Sequence, residues 1–317
     1  MRIEEVHENS KLVLEEVGKA IVGKENVLKM ILTTILADGH ILIEDLPGLA
    51  KTLMAKSFAR ALGLDFKRVQ FTSDLLPSDI LGVSVFNQKT LEFEFRKGPV
   101  FTNILLADEI NRSPPKTQSA LLEAMQEKQV TVEGNTYELP RPFIVIATQN
   151  PIEQEGTYPL PEAQLDRFLV RLRVGYPTRE EEKEILRRRI ERKKEEADVE
   201  PVVTREEVLE MQRAIEEVYM GEPILDYIVN IVEMTRKDKR NVEIGASPRG
   251  SLALMKLSRA YAAIEGRDYV IPDDVKAVAV PALSHRLILK RELWYTKVSQ
   301  ESIMEKLLEK VPVPKFE

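Results

Sequence analysis

The stretch that decides the fold is ILLADE at residues 104–109, where an apolar run ends in two acidic side chains. Apolar runs of this kind are typical of strands buried in a parallel sheet. Charge at the end of a buried strand is costly unless it has a partner, so Asp108 and Glu109 indicate a site that binds a cation or a reacting group. The alternative interpretation is that this pair caps the next helix.

A phosphate-binding loop is predicted upstream, at DLPGLAKT (45–52), between the apolar run HILIE (40–44) and a stretch of helix formers (51–62). The general pattern is G-x-x-x-x-G-K-[ST], in which backbone N–H groups and the amino end of a helix bind phosphate oxygens. On this interpretation Lys51 contacts the β- and γ-phosphates, and Thr52 and Asp108 bind Mg²⁺. The predicted nucleotide-binding residues of the loop are Pro47, Gly48, Leu49, Ala50, Lys51, Thr52 and Leu53.

Asp45 and Ala50 stand where that pattern has glycines. Asp tolerates left-handed backbone angles better than most residues, so Asp45 is expected to cost little. Ala50 brings a methyl group near the phosphates and requires a loop with room for it. The alternative interpretation is a Pro-Gly turn followed by a lysine at the start of a helix.

The hydrolytic step is predicted to depend on Glu109 and Asn150. Glu109 is expected to act as general base toward the attacking water. Asn150 ends the run VIATQN (145–150) and is expected to position that water against the γ-phosphate. A simple turn at Asn150 and Pro151 is the alternative for the second residue.

Strand and helix patterns alternate along the first part of the chain. Candidate strands cover 40–44, 66–70, 103–107, 143–147 and 168–172, and helical patterns separate them. This alternation predicts an α/β core with a five-stranded parallel sheet covered by helices on both faces. Ser113 is expected to cap a helix over 113–128, and Thr178 a charged helix over about 179–198.

Two domains are predicted, as is usual for a chain of 317 residues. An α/β nucleotide-binding core covers 1–177, and an all-helical lid covers 178–317. Alternating patterns at about 83–95 and 130–139 predict two hairpins inserted in the core, with ordinary edge hairpins as the alternative.

Composition excludes several classes of protein. The chain has no cysteine, which excludes disulfides. Its three histidines are scattered, and this argues against a structural zinc site. No apolar run approaches the ~18 residues of a membrane span, and the first residues are charged, so a soluble, cytoplasmic protein is expected. The formal net charge of -6 gives no global attraction to nucleic acid.

Four longer strings in the chain resemble one family. They are GPV (98–100), DEINR (108–112), ATQNPIEQEG (147–156) and LPEAQLDRF (160–168). They are similar to the MoxR branch of the AAA+ ATPases, and the likeness extends over essentially the whole chain. The resemblance implies a P-loop AAA+ enzyme that hydrolyses ATP to ADP and phosphate with Mg²⁺ as cofactor.

The resemblance also implies roles for single residues in the core. Asp108 and Glu109 match the Walker B pair, and Asn150 matches sensor 1. The residues around Val22 and Gly23 match the loop that touches adenine.

Three arginines gain roles from the same resemblance. Arg249 matches sensor 2 in the lid, where it contacts bound ATP, and Arg167 matches the arginine finger that reaches a neighbouring subunit's ATP. Arg112 is a second candidate for contact across the subunit interface. The alternatives are an ion pair of Arg167 with Asp166 or a contact with a helix end, and a plain surface position for Arg249.

The resemblance further implies partners. Family members form rings, so a homohexamer is expected, with the two hairpins facing its central pore. Family members work with proteins that carry von Willebrand A domains, in chaperone-like maturation of client proteins or in metal insertion. Two other functions remain open: a DNA-acting motor, which the acidic balance disfavours, and a nucleotide-gated scaffold that hydrolyses ATP weakly.

Overall fold

The computed structural model describes residues 1–151 and 156–314. Positions 152–155 of the family-like string ATQNPIEQEG, and the last three residues of the predicted lid, lie outside the described residues. No helix in the described ranges is long and apolar enough to cross a membrane.

Helices cover more of the described chain than strands do. The helices are α1 (Ile3–Gly18), α2 (Glu25–Leu36), α3 (Lys51–Ala61), α4 (Pro77–Leu81), α5 (Pro115–Glu127), α6 (Glu162–Leu165), α7 (Arg179–Arg192), α8 (Arg205–Glu216), α9 (Glu222–Lys237), α10 (Pro248–Ile264), α11 (Pro272–Leu283) and α12 (Gln300–Lys310). Short 3-10 helices cover Ile110–Arg112, Ser284–Arg286 and Arg291–Leu293.

The strands are short, and five of the eleven in the described residues form one sheet. They are β1 (Ile41–Glu44), β2 (Phe66–Gln70), β3 (Gly82–Asn87), β4 (Glu92–Lys97), β5 (Ile104–Asp108), β6 (Gln129–Val132), β7 (Asn135–Glu138), β8 (Ile144–Gln149), β9 (Val170–Leu172), β10 (Val242–Ile244) and β11 (Ile288–Leu289).

The central sheet has five strands in the order β2-β5-β8-β1-β9. Each pair of neighbours is parallel, with Val69 opposite Ala107 and Leu42 opposite Ala147. The apolar runs of the sequence form its inner strands because a parallel sheet is covered on both faces. The predicted α/β fold with a five-stranded parallel sheet is confirmed.

Alternate side chains of the sheet enter two separate apolar cores. Ile41 and Ile43 on one face pack into a cluster that also contains residues of α1 to α3 and of the C-terminal helices, such as Leu254. Leu42 and Leu105 on the other face pack with α5 and the hairpins. The face shared with the C-terminal helices fixes them to the sheet.

Two antiparallel hairpins project from the core. One pairs β3 with β4 and the other pairs β6 with β7. The ring of Phe95 stacks on Tyr137 with centroids 4.1 Å apart, which joins the two hairpins. At the tip of the first hairpin Phe86 and Phe93 form an exposed edge-to-face pair.

Helices α8 to α12 form the C-terminal helical region, referred to as the lid. It contains one element in addition to the predicted helices, a two-stranded antiparallel ladder of β10 with β11. Thr204 caps α8, because its hydroxyl accepts from the N–H of Glu207.

Two helix boundaries differ from the predictions. Ser113 does not cap α5: its hydroxyl donates to the carbonyl of Ile110, and α5 begins at Pro115 after an extended Pro114. Proline at the first helical position favours this start because its ring presets the helical φ. The Thr178 hydroxyl caps α7 as predicted, but α7 ends at Arg192, where Lys193 turns left-handed with φ 58°.

Candidate active site

A cavity of about 630 Å³ lies at the carboxyl ends of β1, β5 and β8. This carboxyl-edge cavity brings together the phosphate-loop residues predicted from the sequence, the acid pair and Asn150. Its lining consists of Pro47, Gly48, Leu49, Ala50, Lys51, Thr52, Leu53, Arg68, Gln70, Asp108, Glu109, Thr148, Gln149 and Asn150. Carboxyl ends of parallel strands are the usual place for ligands in such sheets.

The loop of this cavity makes its turn with two left-handed residues. Gly48 has φ 82° and Ala50 has φ 58°, and Ala50 is the residue from which α3 begins. Among the described residues no side chain caps the amino end of α3. Its first backbone N–H groups are therefore available to an anion, as in other helix-start phosphate sites. The loop accommodates Ala50 in the conformation that glycine adopts more easily.

The Lys51 ammonium lies against its own loop, where it donates to the carbonyls of Asp45 at 2.8 Å and Leu46 at 2.9 Å. Burial lowers the pKa of Lys51, and the negative charges of Asp45, Asp108 and Glu109 oppose this shift. These contacts hold the cation at the cavity wall, within the loop that would surround the phosphates.

Asp45 has a different role from the one expected of it. It is absent from the residues with positive φ, so tolerance of left-handed angles does not explain its place. Its carboxylate instead accepts from three backbone N–H groups: Leu46 at 2.8 Å, Val174 at 2.7 Å and Gly175 at 2.6 Å. Asp45 thereby ties the start of the phosphate loop to the segment that follows β9.

Asp108 is held from two sides. Its Oδ1 accepts from the Thr148 hydroxyl at 2.6 Å, and its Oδ2 accepts from Nε of Arg68 at 3.0 Å and Nη2 at 2.7 Å. The Thr148 oxygen in turn accepts from the N–H of Glu109 at 2.8 Å. The buried Thr148 therefore fixes the end of β5 relative to β8.

Glu109 has a strained backbone at the edge of the cavity, with φ 55° and ψ 51°. Residues held in the left-handed region cost about 1–3 kcal/mol and cluster at functional sites. Its Oε2 accepts from Nε2 of Gln70 at 2.7 Å and pairs with Nε of Arg112 at 3.0 Å. Arg112, a candidate for contact between subunits, thus contacts Glu109 of its own chain.

Arg68 and Gln70 were missed in the sequence. Both lie on β2, the edge strand of the sheet next to β5, and both line the carboxyl-edge cavity. In FKRVQ only Val69 is buried, and Arg68 and Gln70 alternate with it on the opposite side of the strand. Polar side chains on an edge strand normally face solvent, so the pattern alone gave no reason to assign them to the site.

A smaller apolar cavity of about 150 Å³ adjoins the phosphate loop and shares Gly48, Leu49, Ala50 and Leu53 with the carboxyl-edge cavity. Its other walls are Ala20, Ile21, Val22, Lys24, Met54, Val174, Gly175, Pro177 and Ile185. Val22 therefore lies where the adenine loop was expected. Gly23 is next to it, with φ 68° and the Glu181 side chain close to its Cα.

Arg167 and Arg249 are not in either of these cavities. They line a third cavity of about 300 Å³ together with His40, Met125, Gln126, Asp166, Leu169, Leu252, Ala253, Lys256 and Arg286. His40 and Leu169 immediately precede β1 and β9, so this amino-edge cavity lies at the opposite edge of the sheet from the phosphate loop. Five residues of extended chain separate His40 from Asp45, about 16 Å.

The residues of the carboxyl-edge cavity fit ATP with Mg²⁺. Mg²⁺ is usually held by one or two carboxylates, hydroxyl groups, water and the phosphates themselves. Thr52 and Asp108, which both line the cavity, supply such oxygens. Over 1–151 and 156–314 no cluster of three or more His, Cys, Asp or Glu could hold a metal by itself.

The chain is similar to known proteins in sequence and in structure. The profile described as "ATPase family associated with various cellular activities (AAA)" matches residues 40–170, and the profile "AAA lid domain" matches 235–307. The chain is 50% identical to the protein YeaC of Bacillus subtilis over 98% of this chain and 97% of that protein. It is 43% identical to the chaperone MoxR1 of Mycobacterium tuberculosis, over 98% and 83% respectively.

A solved structure is also similar. The crystal structure of a proposed ATPase from Cytophaga hutchinsonii superposes with a TM-score of 0.91 at 44% identity, covering 98% of this chain and 96% of that one. The similarity thus includes both the sheet and the lid.

Proposed function

Because this chain belongs to the MoxR family of AAA+ ATPases, we propose that it binds and hydrolyses ATP with Mg²⁺ at the carboxyl-edge cavity. The observation that carries the proposal is that Lys51, Thr52, Asp108 and Glu109 line one cavity, which adjoins an apolar one. A polar end for phosphates and an apolar end for a base are what a nucleoside triphosphate requires.

The polar residues predicted from the sequence each have a part in this proposal. Lys51 would leave the carbonyls of Asp45 and Leu46 to contact the β- and γ-phosphates. Thr52 and Asp108 would hold Mg²⁺, which would supply positive charge next to the phosphates. Glu109 accepts a proton from the attacking water as Gln70 and Arg112 release its carboxylate. Asn150, a mostly buried side chain at the end of β8, orients that water.

We further propose that the complete site forms between two copies of the chain. Arg167 and Arg249 are separated from their own phosphate loop by the length of β1. Neither arginine therefore reaches phosphates bound in the same chain, and both are available to a neighbouring copy. This geometry supports a ring, for which the family suggests six copies, and assigns Arg249 as well as Arg167 to action in trans.

The work done with ATP is proposed to be chaperone-like remodelling of client proteins, as the name of the relative MoxR1 suggests. Partners with von Willebrand A domains and a role in metal insertion are part of the same proposal. The exposed Phe86 and Phe93 at the tip of the first hairpin are suited to grip an apolar client segment. Use of ATP is consistent with the expected cytoplasmic location.

Phosphate release by Glu109→Gln beside the unaltered protein tests the proposal. The amide retains the shape of the side chain but accepts no proton, so turnover should fall about 10²–10⁴-fold. ATP binding, measured by calorimetry, should stay unchanged. Equal rates of phosphate release would contradict the role of Glu109 as general base.

A nucleotide-gated scaffold is the second candidate function. The Glu109 carboxylate is bound by Gln70 and Arg112, and the strained Ala50 lies at the entrance to α3. Both features would suit a protein that holds ATP and hydrolyses it slowly. In that case the unaltered protein would bind ATP tightly and release phosphate no faster than Glu109→Gln.

A further inference from the structure

The backbone on both sides of Arg167 is fixed to the lid of the same chain. Nη2 of Arg286 donates to the carbonyls of Asp166 and Phe168, each at 3.2 Å, and the Phe168 carbonyl also lies 2.9 Å from Nε2 of His285. Nε of Arg286 forms an ion pair with Oδ1 of Asp166 at 2.9 Å. One guanidinium thus contacts the residue before Arg167 and the residue after it.

Arg286 is itself rigidly mounted. Its side chain is only 4% exposed, and Nη1 donates to the carbonyl of Ala282 in the last turn of α11 at 2.7 Å. Burial lowers the pKa of Arg286 to about 10, with the charge of Asp166 opposing the shift. The guanidinium therefore remains charged at neutral pH and the pair with Asp166 is maintained.

A second lid arginine contacts the same carboxylate. Nη1 of Arg249, at the start of α10, lies 3.6 Å from Oδ2 of Asp166. Asp166 thus bridges two lid elements, α10 and the 3-10 helix after α11; α10 packs against α11, and α11 contacts this 3-10 helix. Movement of the lid as a body would carry the backbone of Arg167 with it.

We propose that Arg286 is a positioning residue for Arg167, so that the lid of each subunit sets the geometry of the arginine which that subunit offers to its neighbour. This inference rests on the proposed action of Arg167 in trans. Because a misplacement of about 1 Å at a catalytic group can cost 10²-fold in rate, small lid movements in one subunit control hydrolysis in the next.

The test uses mixed assemblies of two full-length variants. Arg286→Gln subunits keep an intact phosphate loop and Glu109 but position Arg167 badly. Glu109→Gln subunits cannot activate water but offer a well-placed Arg167. Arg286→Gln alone should lose about tenfold to a hundredfold in kcat with its ATP affinity unchanged. Mixing the two should raise the rate per Arg286→Gln subunit severalfold.

Two further variants serve as controls. Arg267→Gln breaks another buried arginine–carboxylate pair of the lid, with Asp274, that does not touch 166–168. Mixing it with Glu109→Gln should give no gain over the average of the two parents. If Arg286→Gln does not fold, Asp166→Asn removes the same ion pair from its more exposed side, and the same gain is expected.

A mixture of Arg167→Ala with Glu109→Gln distinguishes the action of Arg167 in trans from the positioning of Arg167 by Arg286. If the rate of phosphate release rises in this mixture but not in the Arg286→Gln mixture, the positioning role of Arg286 is overturned, and the action of Arg167 in trans still stands. Absence of gain in verified mixed assemblies of both would overturn the trans role itself. Equal gain for Arg267→Gln would also overturn the inference, because general lid damage would then explain the result.

Discussion

The two edges of the central sheet carry charged clusters that differ in their balance of positive and negative charges and in the elements that build them. The carboxyl-edge cavity is built from loop residues, two of them left-handed, and its acids Asp108 and Glu109 are held by partners that a ligand could replace. The amino-edge cavity is built from helix ends and collects the cations Arg167, Arg249, Lys256 and Arg286 around Asp166. Under the proposed function, the site that binds ATP is thus separate from the arginines that a neighbouring copy would use.

Replacement of Arg167 by Ala should give the largest effect and test the amino edge. An arginine finger in trans contributes about 10³–10⁵ in rate, so kcat for phosphate release should fall by that order. ATP affinity should stay the same because the phosphate loop of each chain is untouched. Lys256→Ala, from the same cavity, is the matched control and should change kcat little. Equal losses of kcat in both variants would mean that Arg167 contributes only as one of several positive charges in this cavity.

Replacement of Lys51 by Ala tests the carboxyl edge, with a smaller effect on a different quantity. A hydrogen bond to a charged group contributes about 1.5–3 kcal/mol, so ATP affinity measured by calorimetry should fall by up to about 100-fold. Lys56→Ala in the same helix α3 removes a surface pair with Glu196 and should bind ATP normally. Retained affinity in Lys51→Ala would mean that the phosphate site lies elsewhere.

Replacement of Ala50 by Gly should have the smallest effect, a change in the free energy of unfolding. It tests whether the left-handed backbone of Ala50 at the carboxyl edge is strained. A left-handed alanine costs about 1–2 kcal/mol, and glycine loses about 0.4–1 kcal/mol through its more flexible unfolded chain. The free energy of unfolding should therefore rise by up to about 1 kcal/mol in urea titrations. Ala55→Gly, inside α3, should lower it by about 1 kcal/mol; the same sign for both would show that Ala50 is unstrained.

The sheet could be predicted because strands of a parallel sheet are buried on both faces and therefore have continuous runs of apolar residues. The structure places β2 at the predicted residues 66–70, and the other four strands lie within two residues of their predicted starts. The ladder of β10 with β11 could not be predicted, since strands of three and two residues carry no periodicity. The charged pattern after Thr178 continues past the left-handed Lys193, so the length of α7 was overestimated.

The carboxyl-edge cavity was largely predictable because its residues follow strands directly in the sequence. What escaped prediction depends on contacts between distant segments. Asp45 stands where the phosphate-loop pattern has a glycine, and its carboxylate accepts from the N–H groups of Val174 and Gly175. No local sequence pattern indicates these contacts. The position of Arg249 at the opposite edge from the phosphate loop follows from how the lid packs, and a motif match does not contain that information.

The separation of the two cavities by the sheet also restricts the symmetry of any assembly that completes the site. A contact that joins the carboxyl edge of one copy to the amino edge of the next is head-to-tail, so a two-fold dimer, which uses the same patch twice, does not build it. Repeated head-to-tail contacts close into a ring or continue as a helix. A closed ring of n copies has n complete sites, whereas an open spiral has n − 1 and leaves one phosphate loop without its arginines at one end.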